Sequence, residues 1–231
     1  GNVDGHLGIS TSGGNVGIVL AGADAILTIS GGLGVDTIRT SNGDVGLEAD
    51  DLAISVGAQQ AINAGTGSVA LLAATSGKGV SLGGTQAGEL SIESAELDEI
   101  TAGSIGIGNG DSGDVTLRGN IAPSGTSSLL INSGSDIQTA NATHTITVIN
   151  LAFDAANNIG PGMSLRIAVD NLAARSTVTG DINLNDATDG LTINSGGVGG
   201  IVGVSTTASN ITIQTAGTLD VEAEVNARTS G

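Results

Sequence analysis

Cysteine, tryptophan and tyrosine are absent from these 231 residues, and phenylalanine and methionine occur once each, as Phe153 and Met163. Without cysteine there are no disulfide staples and no thiolate zinc sites. With Phe153 as its single Phe, Trp or Tyr ring, the chain all but lacks the side chains that supply the largest buried areas of ordinary cores, and a thick globular interior is not expected. Positive charge is scarce too: six Lys and Arg face 23 Asp and Glu, for a formal net charge of -17. Such a chain lacks the basic footprint that nucleic acid requires, and an anionic membrane surface repels it. No run approaches about 18 consecutive apolar residues, so no membrane insertion is expected. The chain opens on Gly1 rather than Met and shows no signal peptide, which reads as a processed chain or an excised piece.

What is present is glycine, 39 residues of it, and small aliphatic side chains in short bursts. Asp114-Val115-Thr116-Leu117-Arg118, Glu89-Leu90-Ser91-Ile92-Glu93 and Asp181-Ile182-Asn183-Leu184-Asn185 alternate polar and apolar residues, the mark of half-buried strands. Clusters such as Ser12-Gly13-Gly14-Asn15 and Gly108-Asn109-Gly110-Asp111 separate the strands and supply turn geometry. One frame recurs: a turn residue, an apolar residue, one intervening residue and a second apolar residue, with the first apolar position at 45, 69, 80, 90 and 115. A strand every ten to twelve residues, two to a coil, predicts a β-solenoid with coils of about twenty residues. About eleven such coils would make a rod on the order of 50 Å long. The few aromatics and the high glycine content argue against an antiparallel sandwich. The expected fold is all-β, a parallel β-helix running as one continuous segment over residues 1–231. Only Leu151 to Asn158 and Asp170 to Arg175 carry a weak signal for a short helical turn.

Few residues suggest chemistry. Gly31-Gly32-Leu33-Gly34-Val35-Asp36-Thr37-Ile38-Arg39 fits the nine-residue glycine-rich repeat of calcium-binding β-rolls. In that reading Asp36, with the turn at Gly32 and Gly34, would offer Ca²⁺ the oxygen ligands it needs. The motif works in tandem, however, and neither flanking nonapeptide fits. Asp36 also shares strand parity with Ile38, so the simplest arrangement is a loop through Asp36 and a strand from about Thr37. Asp181, Asn183 and Asn185 begin like an EF-hand loop, but Asp186 and Thr192 stand where Gly and Glu are required. Asp111 with Asp114, and Asp186 with Asp189, flank turns. Asp50 and Asp51 form a carboxylate pair whose adjacent positions face opposite ways. His6 and His144 stand far apart. No catalytic residue is assigned and no cofactor is expected, Ca²⁺ being the single candidate.

Several phrases resemble the giant repetitive bacterial surface proteins related to filamentous haemagglutinin. Ser94 to Asn109, reading SAELDEITAGSIGIGN, is similar to a recurrent unit of that family. Ser112-Gly113-Asp114-Val115-Thr116-Leu117, Asn157-Asn158-Ile159-Gly160, Ala168 to Ala174 and Gly180-Asp181-Ile182-Asn183-Leu184 follow in the family's order. The resemblance spans roughly residues 40 to 225. It implies a right-handed parallel β-helix exported to the bacterial surface, a structural segment of an extracellular fibre or adhesin serving matrix, aggregation or attachment, without catalysis. It carries over no binding residues. The expected partner is the chain itself, stacked head to tail or side by side, with a host or cell-surface ligand as a second class. A calcium-dependent β-roll-like binding module is the alternative reading, and a polysaccharide-cleaving β-helix enzyme the third.

Overall fold

A computed structural model describes residues 8–30, 36–55 and 61–227. Every pairing between its strands is parallel, and in the main sheet each strand pairs with its counterpart one coil on. Successive coils contribute Ile38–Arg39, Val45–Glu48 and Asp51–Ile54, then Ile62–Asn63, Ser68–Leu72 and Val80–Leu82, then Ile100–Thr101, Ser104–Ile107 and Val115–Leu117. The protein is a parallel β-helix, and the rule for parallel crossovers gives its winding a right hand.

The period-two alternation of each strand sends every second side chain inward, where it stacks on its counterpart in the next coil. One such row runs through the whole body. Ile18 pairs with Leu47, and the row continues through Leu71, Ile107, Ile131, Phe153, Ala174 and Val204 to Val225. A second row joins Val16, Val45, Val69, Ile105, Leu129, Leu151 and Leu172. Between Leu47 and Val204 every member of the first row is fully buried. Each buried Val, Leu or Ile contributes roughly 1.5–3 kcal/mol. The rows stabilise the fold coil by coil, without any thick central core.

The main sheet stacks nine levels rather than eleven, because several coils are longer than twenty residues. Leu129 to Leu151 and Leu151 to Leu172 are coils of 22 and 21 residues. Ser68 to Ser104 takes 36. Nine levels spaced about 4.8 Å apart make a stack on the order of 40 Å long. Leu151–Asn158 and Asp170–Arg175 hold no helical turn; they contribute the strands Asn150–Ala155 and Asn171–Ser176. Leu151, Phe153 and Leu172 belong to the inward rows, and that stacking overrides the local helical signal of the alanines beside them. A single helix among the described residues, Ser94–Asp98, lies in the long coil.

That long coil departs from the pattern. Leu90–Ile92 pairs in parallel with Val80–Leu82, which precedes it by only ten residues, and lies on the side opposite Val115–Leu117. Parallel neighbours usually need a connection of a dozen residues or more. Here seven suffice, with Gly83 and Gly88 at positive φ to make the return. The chain has stepped backward and filled the space beside Asp51–Ile54 without forming a backbone ladder to it.

Candidate functional site

Asp36 sits just before the strand Ile38–Arg39, so the expected loop-to-strand boundary is found in the fold. Its Oδ2 accepts a hydrogen bond from Asn63 Nδ2 at 3.2 Å and lies 3.8 Å from Arg39 Nη1. The carboxylate thus has one hydrogen-bond donor, Asn63, and a loosely placed cation, Arg39, beside it. Gly32 and Gly34 lie outside the described residues, as does His6. Among the described residues no group of three or more His, Asp or Glu is arranged to hold a metal ion.

Asp50 and Asp51 point apart, and each has a distinct task. Asp50, 2% exposed, receives the backbone N–H of Asp24, the backbone N–H and hydroxyl of Thr75, and Lys78 Nζ at 3.5 Å. Burial opposes its ionisation, but these donors together hold its pKa down to about 2. Lys78, the only lysine of the chain, also lies 3.3 Å from Asp24 Oδ1. One buried carboxylate therefore ties three coils, with Lys78 bridging from it to the exposed Asp24.

Asp51 and Glu96 close the gap left by the backward step. Asp51 Oδ1 accepts the N–H of Ser91, and Glu96 Oε1 accepts the N–H of Ile54 at 2.8 Å. Glu96 Oε2 reaches back to the N–H of Glu93 ahead of the helix. Two carboxylates thus receive backbone donors of neighbouring strands where the ladder is missing. Burial, with the Glu93 and Asp51 charges nearby, pushes the Glu96 carboxyl above its usual range. A cleft of about 280 Å³ opens over this junction, lined by Asp51, Gln86, Ser91, Glu93 and Glu96 among others. Its carboxylates are turned to backbone donors, and no cationic side chain lines it.

The regular coils carry a different device. Asp114, Asp136, Asn158, Asp181 and Asn210 occupy equivalent positions, each just before an inward Val or Ile. Each of the first four accepts, through Oδ1, the backbone N–H of its counterpart one coil further on. A shallow groove of about 380 Å³ flanks the ladder at Asn158, Pro161, Asp181, Asn183 and Asn210. Asp181, Asn183 and Asn185, the EF-hand-like triplet, resolve into one ladder member and two outward positions of the strand Ile182–Asp186. Asp186 is buried at the end of that strand and accepts the hydroxyls of Thr188 and Thr215. His144 Nδ1 lies 3.2 Å from the carbonyl of Leu117, a turn contact.

Among the described residues, the carboxylates of Asp50, Asp51, Glu96 and the coil ladder serve as acceptors for backbone donors, and Glu89 and Asp154 pair with Arg118 and Arg175. The sequence did not point to Glu96, Asp51 or Lys78 as a group; the reach-back of Glu96 to Glu93 is the one feature written locally in Glu93-x-x-Glu96. Compared with family models, curated proteins and solved structures, the chain matches none. The haemagglutinin-like resemblance therefore rests on the phrases of the sequence alone.

Proposed function

We propose that this chain is a structural segment of an extracellular bacterial fibre or adhesin, acting through length and surface rather than catalysis. The observation that carries the reading is the unbroken apolar row from Ile18 to Val225, which turns sequence length directly into axial length. A solenoid of this kind adds coils at nearly constant cross-section, as a fibre requires. Its acidic surface favours solubility outside the cell. Antibodies against the coils should label intact cells of the producing organism, and in-frame removal of residues 104–186 should shorten surface fibres and reduce cell aggregation. Label confined to lysed cells would overturn the proposal. A melting temperature that falls on adding chelator would favour the calcium-dependent module instead.

A further inference from the structure

One segment of the C-terminal half is not needed to wind the helix. The strand Asn171–Ser176 is matched in the next coil by two pieces, Gly190–Ile193 and Val204–Thr206, with residues 194–203 between them. This segment turns out of the coil and lies on the outer face of the main sheet. Val198 and Ile201 there form a small cluster with Ala152 and Ala173, packed against Leu130 and separate from the main core. Val198 and Ile201 exchange both backbone hydrogen bonds around Gly199-Gly200, a tight turn with φ of 58° and 81°. Gly199 approaches so closely that an added Cβ would lie 3.4 Å from that of Ala152. Among the described residues, positions 196–202 form hydrogen bonds only within the segment or to Asn194 at its root. The ends of the segment are tied to the body by polar contacts, Asn194 to Asn171, Ser195 to Glu222 and the N–H of Ala174 to the carbonyl of Gly203, whereas the tip, residues 196–202, is held by apolar contact alone.

We propose that residues 196–202, hinged on these fixed ends, are a releasable cover over a lateral docking face, and that the uncovered face receives a second copy of this chain. The outer row Leu130, Ala152 and Ala173 continues, coil by coil, as Gly106, Ala70, Gly46 and Gly17, giving a low, flat sheet surface. The strap demonstrates within one molecule that this row accepts branched aliphatic side chains. Beside it, Arg175 forms a two-pronged pair with Asp154 while remaining 46% exposed. A two-fold copy facing the same surface can exchange these partners, Arg175 of each chain turning to Asp154 of the other. Self-complementarity of this kind is the mark of an isologous contact. The proposal stands apart from the fibre reading, since its readouts are taken in solution on the isolated chain.

Deleting residues 195–203 leaves Ile193-Asn194-Val204, the spacing of Leu172-Ala173-Ala174 in the coil before, so the winding is preserved. By sedimentation velocity the variant should double its mass with rising concentration, and adding Ala173→Glu should return it to the monomer. Should the deletion fail to fold, Val198→Asp with Ile201→Asp lifts the strap and leaves the coil intact, with the same expected doubling. In the parent chain the amides of Val198 and Ile201 should exchange with solvent faster than that of Ala174. A folded, monomeric strap-free variant would overturn the docking face. Equal protection of the strap and Ala174 would overturn its release.

Discussion

The regular coils from Ser104 to Asp186 and the long coil from Ala73 to Gly103 solve the same problem by opposite means. In the regular coils every strand meets its neighbour edge to edge, and polar side chains ladder alongside, Asp136 to Asn158 to Asp181 to Asn210. Beyond the Asp114–Asp136 step, where two carboxylates follow one another, charge and neutral amide alternate along that stretch and keep the remaining carboxylates two levels apart. In the long coil the backbone ladder is broken beside Asp51–Ile54, and carboxylates take its place. There the charges are buried rather than spaced. The lesson is that a solenoid tolerates a displaced strand when acceptors replace the lost carbonyls. The replacement makes local stability depend on pH.

The largest expected effect falls on the long coil. Asp50→Ala leaves Lys78 without its buried partner and the N–H groups of Asp24 and Thr75 without their acceptor. Lys78 keeps Asp24 as a partner, but the two backbone donors lose their acceptor at about 1–3 kcal/mol each, and denaturant titration should show a loss of that order. The sign of the pH dependence follows from the lowered pKa. Asp50 titrates at about 2 in the folded chain and near 3.9 unfolded. Its stabilisation is complete above about pH 4 and lost as pH falls toward about 2. That part of the acid dependence should vanish in the variant. An equally steep decline in Asp50→Ala would show that Asp50 does not anchor the coil.

The intermediate effect lies in the regular coils. Asn158→Asp would place a carboxylate between those of Asp136 and Asp181, so that with Asp114 four successive levels carry one. At about 5 Å, like charges repel by about 1–3 kcal/mol in surroundings between water and protein surface. Stability should drop by that order at neutral pH and recover in acid or high salt. A loss that persists at pH 3 would mean that the Asn158 side-chain donor to Asp136, not charge alternation, is what matters.

Much of the regular half was legible in the sequence. Alternation marks its strands, and Asp114-Val115, Asp136-Ile137, Asn158-Ile159, Asp181-Ile182 and Asn210-Ile211 spell out the turn acceptor followed by the inward residue. The long coil was not legible, because Val80-Ser81-Leu82 and Leu90-Ser91-Ile92 obey the same local frame yet stack in the reverse of chain order. The side on which a strand adds is settled by distant partners, Asp51 and Glu96, and by the tight return at Gly83 and Gly88. The charge cluster was hidden for a related reason: Lys78 meets Asp50 and Asp24 only after the coils have wound. The strap reads as a loop, Asn194 to Gly203, and nothing in its composition tells that it folds outward.

The smallest effect is also the one that sharpens the contrast most. Glu96→Gln retains one acceptor for the two N–H groups of Ile54 and Glu93, and turns an amide donor toward the other. An unsatisfied buried donor costs about 1–3 kcal/mol. Removing a buried charge from beside Glu93 and Asp51 offsets part of that, so the net loss should be about 1 kcal/mol. The pH response separates the two contributions. Because the Glu96 pKa is raised in the folded chain, its ionised form opposes folding, and stability from this group rises as pH falls through that pKa. Asp50, on the other side of the same junction, responds in the opposite sense. In the parent chain the two slopes act in successive windows, the gain from Glu96 in mild acid, above the usual carboxyl range, and the loss from Asp50 below about pH 4. In Glu96→Gln the upward part should disappear, leaving a monotonic loss toward low pH governed by Asp50. A variant that still gains stability on mild acidification would assign that gain to another carboxylate and leave Glu96 a simple acceptor.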